Sequence, residues 1–270
     1  MAGPRVRLVV TADDFGYCPR RDEGIVEAFL AGAVTSVSLL VNGAAAESAA
    51  DLSRRHKIPT GLHANLSEGR PVGPARLGDS SLLSPEGFFL GKMGFREAVA
   101  TGGVALPQVR EELEAQLIRF RELLGGDPTH VDGHQHVHVL PGGGHCSLEG
   151  GCGWTDAFVG LSTCGRHMSV HRVSGALARA LEGIPTGHTL TAELMAHPGY
   201  PSVPPAGGCG KGPDAFSCSW ERLHELRVLT APTLRAQLAQ DGVQLCALHD
   251  LDSKRPGEAT LKTFLERSRP

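Results

Sequence analysis

The sequence predicts an α/β fold in which parallel βαβ units are arranged as in a TIM-like barrel, with an incomplete unit near residues 142–153. Short apolar runs alternate with segments of helical periodicity along most of the 270 residues, which is the spacing of parallel βαβ units. Carboxylate and imidazole residues recur at the ends of the apolar runs, where barrel enzymes carry their reactive groups. A glycine-rich stretch at 142–153 interrupts the alternation where the next helix is expected.

The first part of the chain contains two βα units and the strand of a third. The run VRLVVTA at 6–12 predicts a buried strand that ends at Asp13 and Asp14, and residues 22–33 have apolar side chains at helical spacing. The same alternation continues with a strand at 35–43, a helix at 44–56 and a strand at 59–66. Residues 67–106 are rich in Gly, Pro and Ser and predict a long loop, which is usually functional.

The second part begins with the clearest helix, at 107–126. A histidine-rich strand at 129–141 follows, and residues 142–153, with six glycines in twelve positions, predict a flexible linker. The remaining predicted elements are an apolar segment at 154–162, a helix at 171–183, a strand at 189–199, a helix pair at 219–240 and a closing strand at 243–250. We therefore expect one domain over residues 1–250 and a loose C-terminal tail over 251–270.

Bulk properties exclude several classes of partner. A net charge of -3 and a pI near 6.5 give no general attraction to nucleic acid or to an anionic membrane. The N-terminal residues MAGPRVRLVV lack the apolar core of an export signal, and no apolar stretch approaches the roughly 20 residues that span a bilayer. The expectation is a cytoplasmic protein that binds neither nucleic acid nor membrane.

Polar residues at the ends of separate strands predict a metal site. The carboxyl ends of parallel strands meet at one mouth, and there Asp14, His63 and His134 can supply one carboxylate and two imidazoles. Such a set leaves a position on a catalytic metal for water. Asp13 is placed to act as the base that takes the water proton, and His197 is the candidate acid that protonates a leaving amine.

Each of these residues also has a structural explanation. Adjacent aspartates after a strand often cap a helix, because carboxylates bind its free N–H groups. A single histidine such as His63 is more often a satisfied core residue than a ligand, and His197 could cap its strand.

The stretch THVDGHQHVHVLP at 129–141 is harder to explain by packing. In an extended strand His130, Asp132, His134, His136 and His138 share one face. The two outer histidines would then lie roughly 26 Å apart, at about 3.3 Å per residue, so they cannot bind the same ion. We expect one or two of the five to be ligands and the others to orient ligands, line the pocket or make hydrogen bonds.

Four collinear motifs carry a resemblance to a known family. They are TADDFGYCPRRDEGIVEAFLAGAVTSVSLLVNG, GLHANLSEGRPVG, PTHVDGHQHVHVLP and ELMAHPGYP. Together they resemble the YdjC-like carbohydrate deacetylases. The resemblance implies an irregular (β/α) barrel that removes acetyl groups from N-acetylated carbohydrates, with an N-acetylated oligosaccharide or amino sugar as substrate. It also implies Asp13 as the proton acceptor and Asp14, His63 and His134 as ligands of a divalent metal ion.

The identity of the metal is open between two arguments. The resemblance implies Mg²⁺. Two imidazoles and one carboxylate suit Zn²⁺ or another transition ion better, because Mg²⁺ prefers oxygen ligands.

The chain departs from the family pattern after Pro141. In the family a helix and a strand follow the histidine strand, and the twelve residues 142–153 cannot replace a unit that needs roughly 30. The sequence therefore predicts a shortened form, such as an alternatively spliced isoform, with an exposed edge on the histidine strand. Two alternatives follow: a catalytically impaired form that acts only by binding, and a different metal-dependent amidohydrolase or phosphoesterase. The latter predicts phosphate-binding basic or glycine-rich features at strand ends, and none is convincing.

Overall fold

The structure is a computed structural model that describes residues 5–74, 79–139, 155–185 and 187–252. Its elements are β1 (Val6–Phe15), α1 (Pro19–Leu30), β2 (Ser36–Leu39), α2 (Ala46–His56), β3 (Thr60–Ala64), α3 (Gly91–Ala100), α4 (Leu106–Leu124), β4 (Val131–Gly133), β5 (Ala157–Val159), α5 (Val170–Ala180), β6 (Leu190–Ala196), α6 (Glu221–Leu229), α7 (Pro232–Gln240), β7 (Val243–Leu245) and α8 (His249–Asp252). A kinked turn, His134–Val139, follows β4, and a short 3₁₀ turn, Gly165–His167, follows β5.

The seven strands form one parallel sheet that curls into a half-barrel. Its order is β4-β3-β2-β1-β6-β5, and β7 pairs with the start of β1 while β2 pairs with its end. Within the described residues, β4 and β5 are the two outer strands, and the sheet is open between them. This architecture confirms the predicted incomplete barrel. The predicted linker at 142–153 lies outside the described residues.

The two faces of the sheet differ in polarity. Leu8, Val10 and Ala12 of β1 belong to the main hydrophobic core, together with apolar residues of α1, α2, α4, α5, α6 and α7. The alternate residues of β1, Thr11 and Asp13, face the inside of the half-barrel, because successive side chains of a strand point to opposite faces. The helices thus cover an apolar outer face, and the polar inner face carries the site.

A close approach of β3 and β4 fixes the position of His130. The imidazole of His130 lies directly over Gly61, where a Cβ would come within 2.4 Å of the ring. Ser38 Oγ lies 3.0 Å from His130 Nε2 and donates a hydrogen bond of 2.7 Å to Asp132 Oδ2. Glycine at position 61 is therefore required by space, and His130 is a structural residue beneath the site.

Three predicted elements differ in the structure. The extended histidine strand over 129–141 is wrong: β4 ends at Gly133, and Gln135 (φ 55°) and His136 (φ 60°) turn the chain into the left-handed region. A common strand face therefore does not extend beyond this turn. The predicted loop 67–106 contains helix α3, whose Phe95 packs with Leu82 and Phe89 in a second small core. The closing strand predicted at 243–250 is wrong beyond Leu245, where β7 ends, and helix α8 begins at His249.

Two further expectations concern the whole chain. In the part that the structure describes, no helix has the length and apolar character needed to cross a membrane. Residues 251 and 252 of the predicted tail belong to α8, and the rest of the tail lies outside the described residues.

Candidate active site

The end of β1 delivers two consecutive aspartates to the same site. Consecutive residues of a regular strand point to opposite faces, but the pairing of β1 with β2 shifts register between Ala12 and Phe15. Asp14 lies in this shift with φ 63°, a conformation that non-glycine residues rarely adopt and that often marks functional sites. The irregularity lets Asp13 and Asp14 both turn their carboxylates toward His63 Nε2, at 4.0 Å and 3.4 Å.

Asp14, His63 and His134 come together at the carboxyl ends of three strands. Asp14 Oδ1 lies 3.4 Å from His63 Nε2 and 2.9 Å from His134 Nδ1. One ligand atom from each residue lies within 4.8 Å of the others, and all three residues are buried. The structure therefore brings together the three residues that the sequence analysis proposed as metal ligands, in a geometry that could hold a metal ion.

Each imidazole is oriented by a second carboxylate. His63 Nδ1 lies 2.7 Å from Asp132 Oδ1, and His134 Nε2 lies 2.9 Å from Glu68 Oε2. If these outer nitrogens carry the proton, the inner nitrogens present lone pairs toward Asp14. Carboxylates that hold metal-binding histidines in this way fix the tautomer and the ring orientation.

The carboxylate of Asp14 also has one occupied and one open oxygen. Oδ2 accepts a hydrogen bond of 2.6 Å from the buried guanidinium of Arg21. Oδ1 is buried and faces both imidazoles without a hydrogen bond of good geometry. Burial opposes ionisation of Asp14, but the imidazole of His134 and the charge of Arg21 outweigh it and hold the pKa of the carboxyl well below its usual range. An ionised oxygen between two imidazole nitrogens, without a hydrogen bond of good geometry, fits a divalent cation.

A second group, Asp13, His63 and Asp132, also has ligand atoms within 4.8 Å of one another. In this group the hydrogen bonds of Asp132 to His63 and Ser38 already occupy both carboxylate oxygens. Asp132 is therefore better explained as the group that orients His63.

Asp13 lies between the imidazoles of His63 and His197. Its Oδ2 is 4.0 Å from His63 Nε2 and 3.9 Å from His197 Nε2, and its Oδ1 is buried without a hydrogen-bond partner. Burial raises the pKa of Asp13 well above the ordinary aspartate value, although the charge of His63 opposes the shift. A carboxylate with a raised pKa is a stronger base, as proton transfer requires.

His197 follows β6 on the opposite side of Asp13 from His63. Its backbone N–H donates to Glu225 Oε2 at 2.5 Å, and its ring meets Phe216 edge-on at a centroid distance of 5.7 Å. Burial, and then the positive charge of Arg222, lower the pKa of His197 well below the ordinary histidine value. The imidazole is therefore uncharged at neutral pH in this arrangement.

Four residues important to this geometry were not identified from the sequence: Glu68, Arg21, Arg222 and Glu225. Glu68 lies five residues after His63 within the GLHANLSEG motif, and Arg21 lies in the CPRRDEG stretch after the two aspartates. For Glu68 and Arg21 the sequence therefore offered one signal, a charged residue close in sequence to a candidate metal ligand. Arg222 and Glu225 lie on an ordinary helix pattern and carried no such signal.

Comparison with known proteins now identifies the family. The sequence model of the YdjC-like protein family matches residues 7–149 and 144–240. The chain belongs to the YdjC-like family. Carbohydrate deacetylase of Homo sapiens is 72% identical over 321 aligned positions, covering 99% of each chain. Chitooligosaccharide deacetylase of Serratia marcescens is 35% identical and covers 90% of this chain and 98% of its own.

A solved structure supports the fold independently. A protein of Enterococcus faecalis V583 named for cellobiose-phosphate cleavage superposes with a TM-score of 0.73 at 21% identity, covering 92% of this chain and 99% of that chain. At this identity the likeness establishes the fold.

The family comparison also confirms that the chain is shortened. The alignment with the human protein is 321 positions long, whereas this chain has 270 residues. About 50 positions of the human protein therefore have no counterpart here. The two matches to the family model meet at 144–149, within the glycine-rich stretch where the sequence pattern predicts the missing segment.

Proposed function

We propose that this YdjC-like chain is a metal-dependent hydrolase that removes the acetyl group from an N-acetylated oligosaccharide or amino sugar. The observation that carries the proposal is the convergence of Asp14, His63 and His134, with a separate carboxylate on each imidazole. The names of the human and Serratia marcescens relatives support an acetylated carbohydrate as the substrate class.

Asp14 Oδ1, His63 Nε2 and His134 Nδ1 would hold the cation. When bound, a divalent cation supplies a Lewis acid that polarises the acetyl carbonyl and activates water as a nucleophile. Two nitrogen ligands and one oxygen ligand favour Zn²⁺ or another transition ion over Mg²⁺, which prefers oxygen.

Asp13 is the general base in this proposal. Its raised pKa lets it take a proton from the attacking water, and its position beside His63 places it next to the metal ligands. Asp13 is not needed as a ligand, because Asp14 provides the carboxylate of the metal set.

His197 is the proposed acid for the departing amine. Because its lowered pKa leaves the imidazole uncharged before the reaction, the proton must come from the reaction itself. Asp13 Oδ2 lies 3.9 Å from His197 Nε2 and, once it has taken the proton of the water, can supply it to His197. The proton of the water would thus pass through Asp13 and His197 to the nitrogen as the C–N bond breaks, giving acetate and a free amine.

The test is acetate release from N-acetylated chitooligosaccharides and N-acetylglucosamine by the Zn²⁺-loaded chain. We expect Asp13→Asn to lower kcat by roughly 10²–10⁴-fold while the chain still binds one ion, and Asp14→Asn to lose the ion itself. Asp127→Asn, at an exposed ion pair with Arg121, is the control and should behave as the parent chain. Hydrolysis of a phosphate monoester without acetate release would favour the phosphoesterase alternative.

A binding-only role is the second candidate, because about 50 positions of the human relative have no counterpart in this chain. It predicts that the metal-loaded chain binds the acetylated oligosaccharide in calorimetry and releases no acetate. The same pair of measurements therefore separates the two candidates.

A further inference from the structure

Polar contacts connect the proposed metal ligands to the segment between β6 and α6. We call residues 201–219 the β6–α6 segment. It has no helix or strand of its own, yet two separate series of buried contacts join it to Asp14 and His134.

The first series runs from His134 through Glu68 and Tyr17. The hydroxyl of Tyr17 donates a hydrogen bond of 2.9 Å to Glu68 Oε1, while Glu68 Oε2 holds His134. The same hydroxyl accepts a hydrogen bond of 2.9 Å from the backbone N–H of Asp214. Tyr17 is 1% exposed, so this phenol is a buried link between a metal ligand and the segment.

The second series runs from Asp14 through Arg21. The guanidinium of Arg21, which is fully buried, donates through Nη1 to Asp14 Oδ2 at 2.6 Å and through Nη2 to Ser217 Oγ at 2.7 Å. The backbone N–H of Ser217 donates to Asp214 Oδ1 at 2.6 Å. Because both series meet at Asp214, the contacts form a closed ring that begins and ends at the metal site.

The segment also touches the opposite half of the site. Phe216, between Asp214 and Ser217, packs edge-on against His197. The centroid of its ring lies 3.5 Å from Cζ of Arg222. The ring therefore connects the groups that would hold the metal with the aromatic side chain that contacts the proposed acid.

We propose that Tyr17, Arg21, Asp214 and Ser217 are positioning residues that couple metal binding to the order of the β6–α6 segment, and so to the placement of Phe216 against His197. The inference rests on the proposed metal site. A bound cation fixes Asp14 and His134, which hold the two ends of the ring. By linkage, any factor by which the ordered segment raises metal affinity is also the factor by which the metal favours the ordered segment.

Hydrogen exchange of the parent chain provides the first test. The backbone N–H groups of Ser202, Asp214 and Ser217 all take part in hydrogen bonds of the segment. Saturating Zn²⁺ should slow their exchange about fivefold or more, the lower end of typical coupling between sites. The amide of Asp241, which bonds to Gln237 at the end of α7, is the internal reference and should not change.

A matched pair of serine variants provides the second test. Ser217→Ala removes the contact with Arg21, whereas Ser219→Ala removes a hydrogen bond to Phe216 O in the same segment but outside the ring. Ser217→Ala should weaken Zn²⁺ binding about fivefold and reduce the Zn²⁺-induced slowing of exchange by the same factor. Ser219→Ala should bind Zn²⁺ as the parent chain does. Tyr17→Phe cuts the ring on its other side and should reproduce Ser217→Ala.

The outcomes separate this inference from the function on which it rests. If the parent chain binds no divalent ion, the proposed metal site is wrong. If it binds Zn²⁺ but exchange at the three amides is unchanged, or if Ser217→Ala binds Zn²⁺ as tightly as Ser219→Ala, the coupling is wrong and the metal site stands. An equal loss of affinity in both serine variants would also contradict it, because general weakening of the segment would then explain the result.

Discussion

Asp14, His63 and His134 each have two polar side-chain atoms: one faces the centre of the site, and a neighbouring residue contacts the other. His63 and His134 each present one nitrogen to Asp14 while a carboxylate contacts the other, and Asp14 presents one oxygen while Arg21 binds the other. In this arrangement Asp14 is ionised, and a cation can replace the protons on the inner nitrogens while the outer nitrogens stay bound to their carboxylates. We therefore expect the outer contacts, and not the ligands alone, to contribute to metal affinity.

Removing one outer carboxylate should weaken metal binding without removing a ligand. Asp132→Ala leaves His63 in place but takes away the group 2.7 Å from its Nδ1. We expect the Kd for Zn²⁺ to rise about 10–100-fold, measured by competition with a chelator of known affinity. Asp127→Ala, at an exposed ion pair, is the control. An unchanged Kd in Asp132→Ala would show that His63 does not need this support to bind the ion.

Metal binding should also depend on pH. In the metal-free site burial opposes protonation of both imidazoles, but Asp132 raises the pKa of His63 and Asp14 raises that of His134 above the ordinary histidine value. Because the cation must displace these protons, affinity is highest above the raised pKa values and falls as the pH drops through them. Calorimetric titrations at pH 5.5 and 8 should therefore give a weaker Kd at pH 5.5. Equal Kd values would indicate that the imidazoles are unprotonated throughout.

The sequence identifies the residues that converge and includes Asp132 among the candidates that orient them, but it does not identify Glu68 or Arg21. Asp14, His63 and His134 follow from the rule that parallel strands end at one mouth. The role of Glu68 depends on how the chain turns after β3, and that of Arg21 depends on α1 packing beside the end of β1. Such side-chain directions are set by tertiary packing, so local patterns could not assign these roles.

Among the secondary-structure elements, the pairing of β3 with β4 determines which side chains lie next to each other on the inner face of the half-barrel. The two strands pair in register from Leu62 and Val131 to Ala64 and Gly133. His63 and Asp132 are direct partners in this register, which places the imidazole beside the carboxylate that holds it. This pairing also requires glycine at position 61, because the His130 ring fills the space that a side chain there would occupy.

A methyl group at position 61 should disturb this pair of strands. Gly61→Ala places a Cβ within 2.4 Å of the His130 ring, and overpacking of a filled site typically costs about 1–3 kcal/mol. Thermal unfolding should show a lower Tm than in the parent chain, with weaker Zn²⁺ binding because His63 and Asp132 are adjacent. Gly126→Ala, where nothing lies within 4 Å of the added Cβ, is the control. A Tm equal to that of Gly126→Ala would contradict the packing argument.

Element prediction fails where local chemistry overrides a simple pattern. The alternation of histidines after residue 129 predicts a long strand, but the chain turns at Gln135 and His136 directly after Gly133. Helix α3 was not predicted because Gly91 and Gly94 are typical of loops, although the segment packs as a helix through Phe95. The βα order elsewhere was predictable, since apolar periodicity there agrees with the buried faces.

At the scale of the whole molecule, the proposed site belongs to strands that the shortened chain retains. Its residues come from the ends of β1, β3, β4 and β6, on both sides of the centre of the sheet. Within the described residues β4 and β5 are the outer strands, and the rings of His136, after β4, and Phe158, in β5, lie 6.5 Å apart. All the proposed ligands and acid and base groups are present in this chain, although about 50 positions of the human protein have no counterpart in it.

The proposed metal site can be tested most directly by the rate of acetate release from an N-acetylated chitooligosaccharide as metal-free chain is titrated with Zn²⁺. A single site formed by Asp14, His63 and His134 predicts a rate that rises linearly to one equivalent of Zn²⁺ per chain and then stays constant. His63→Ala should show no rise at one equivalent. Acetate release that is unaffected by removal of the metal, or no release at any amount of metal despite binding of one equivalent, would contradict the account.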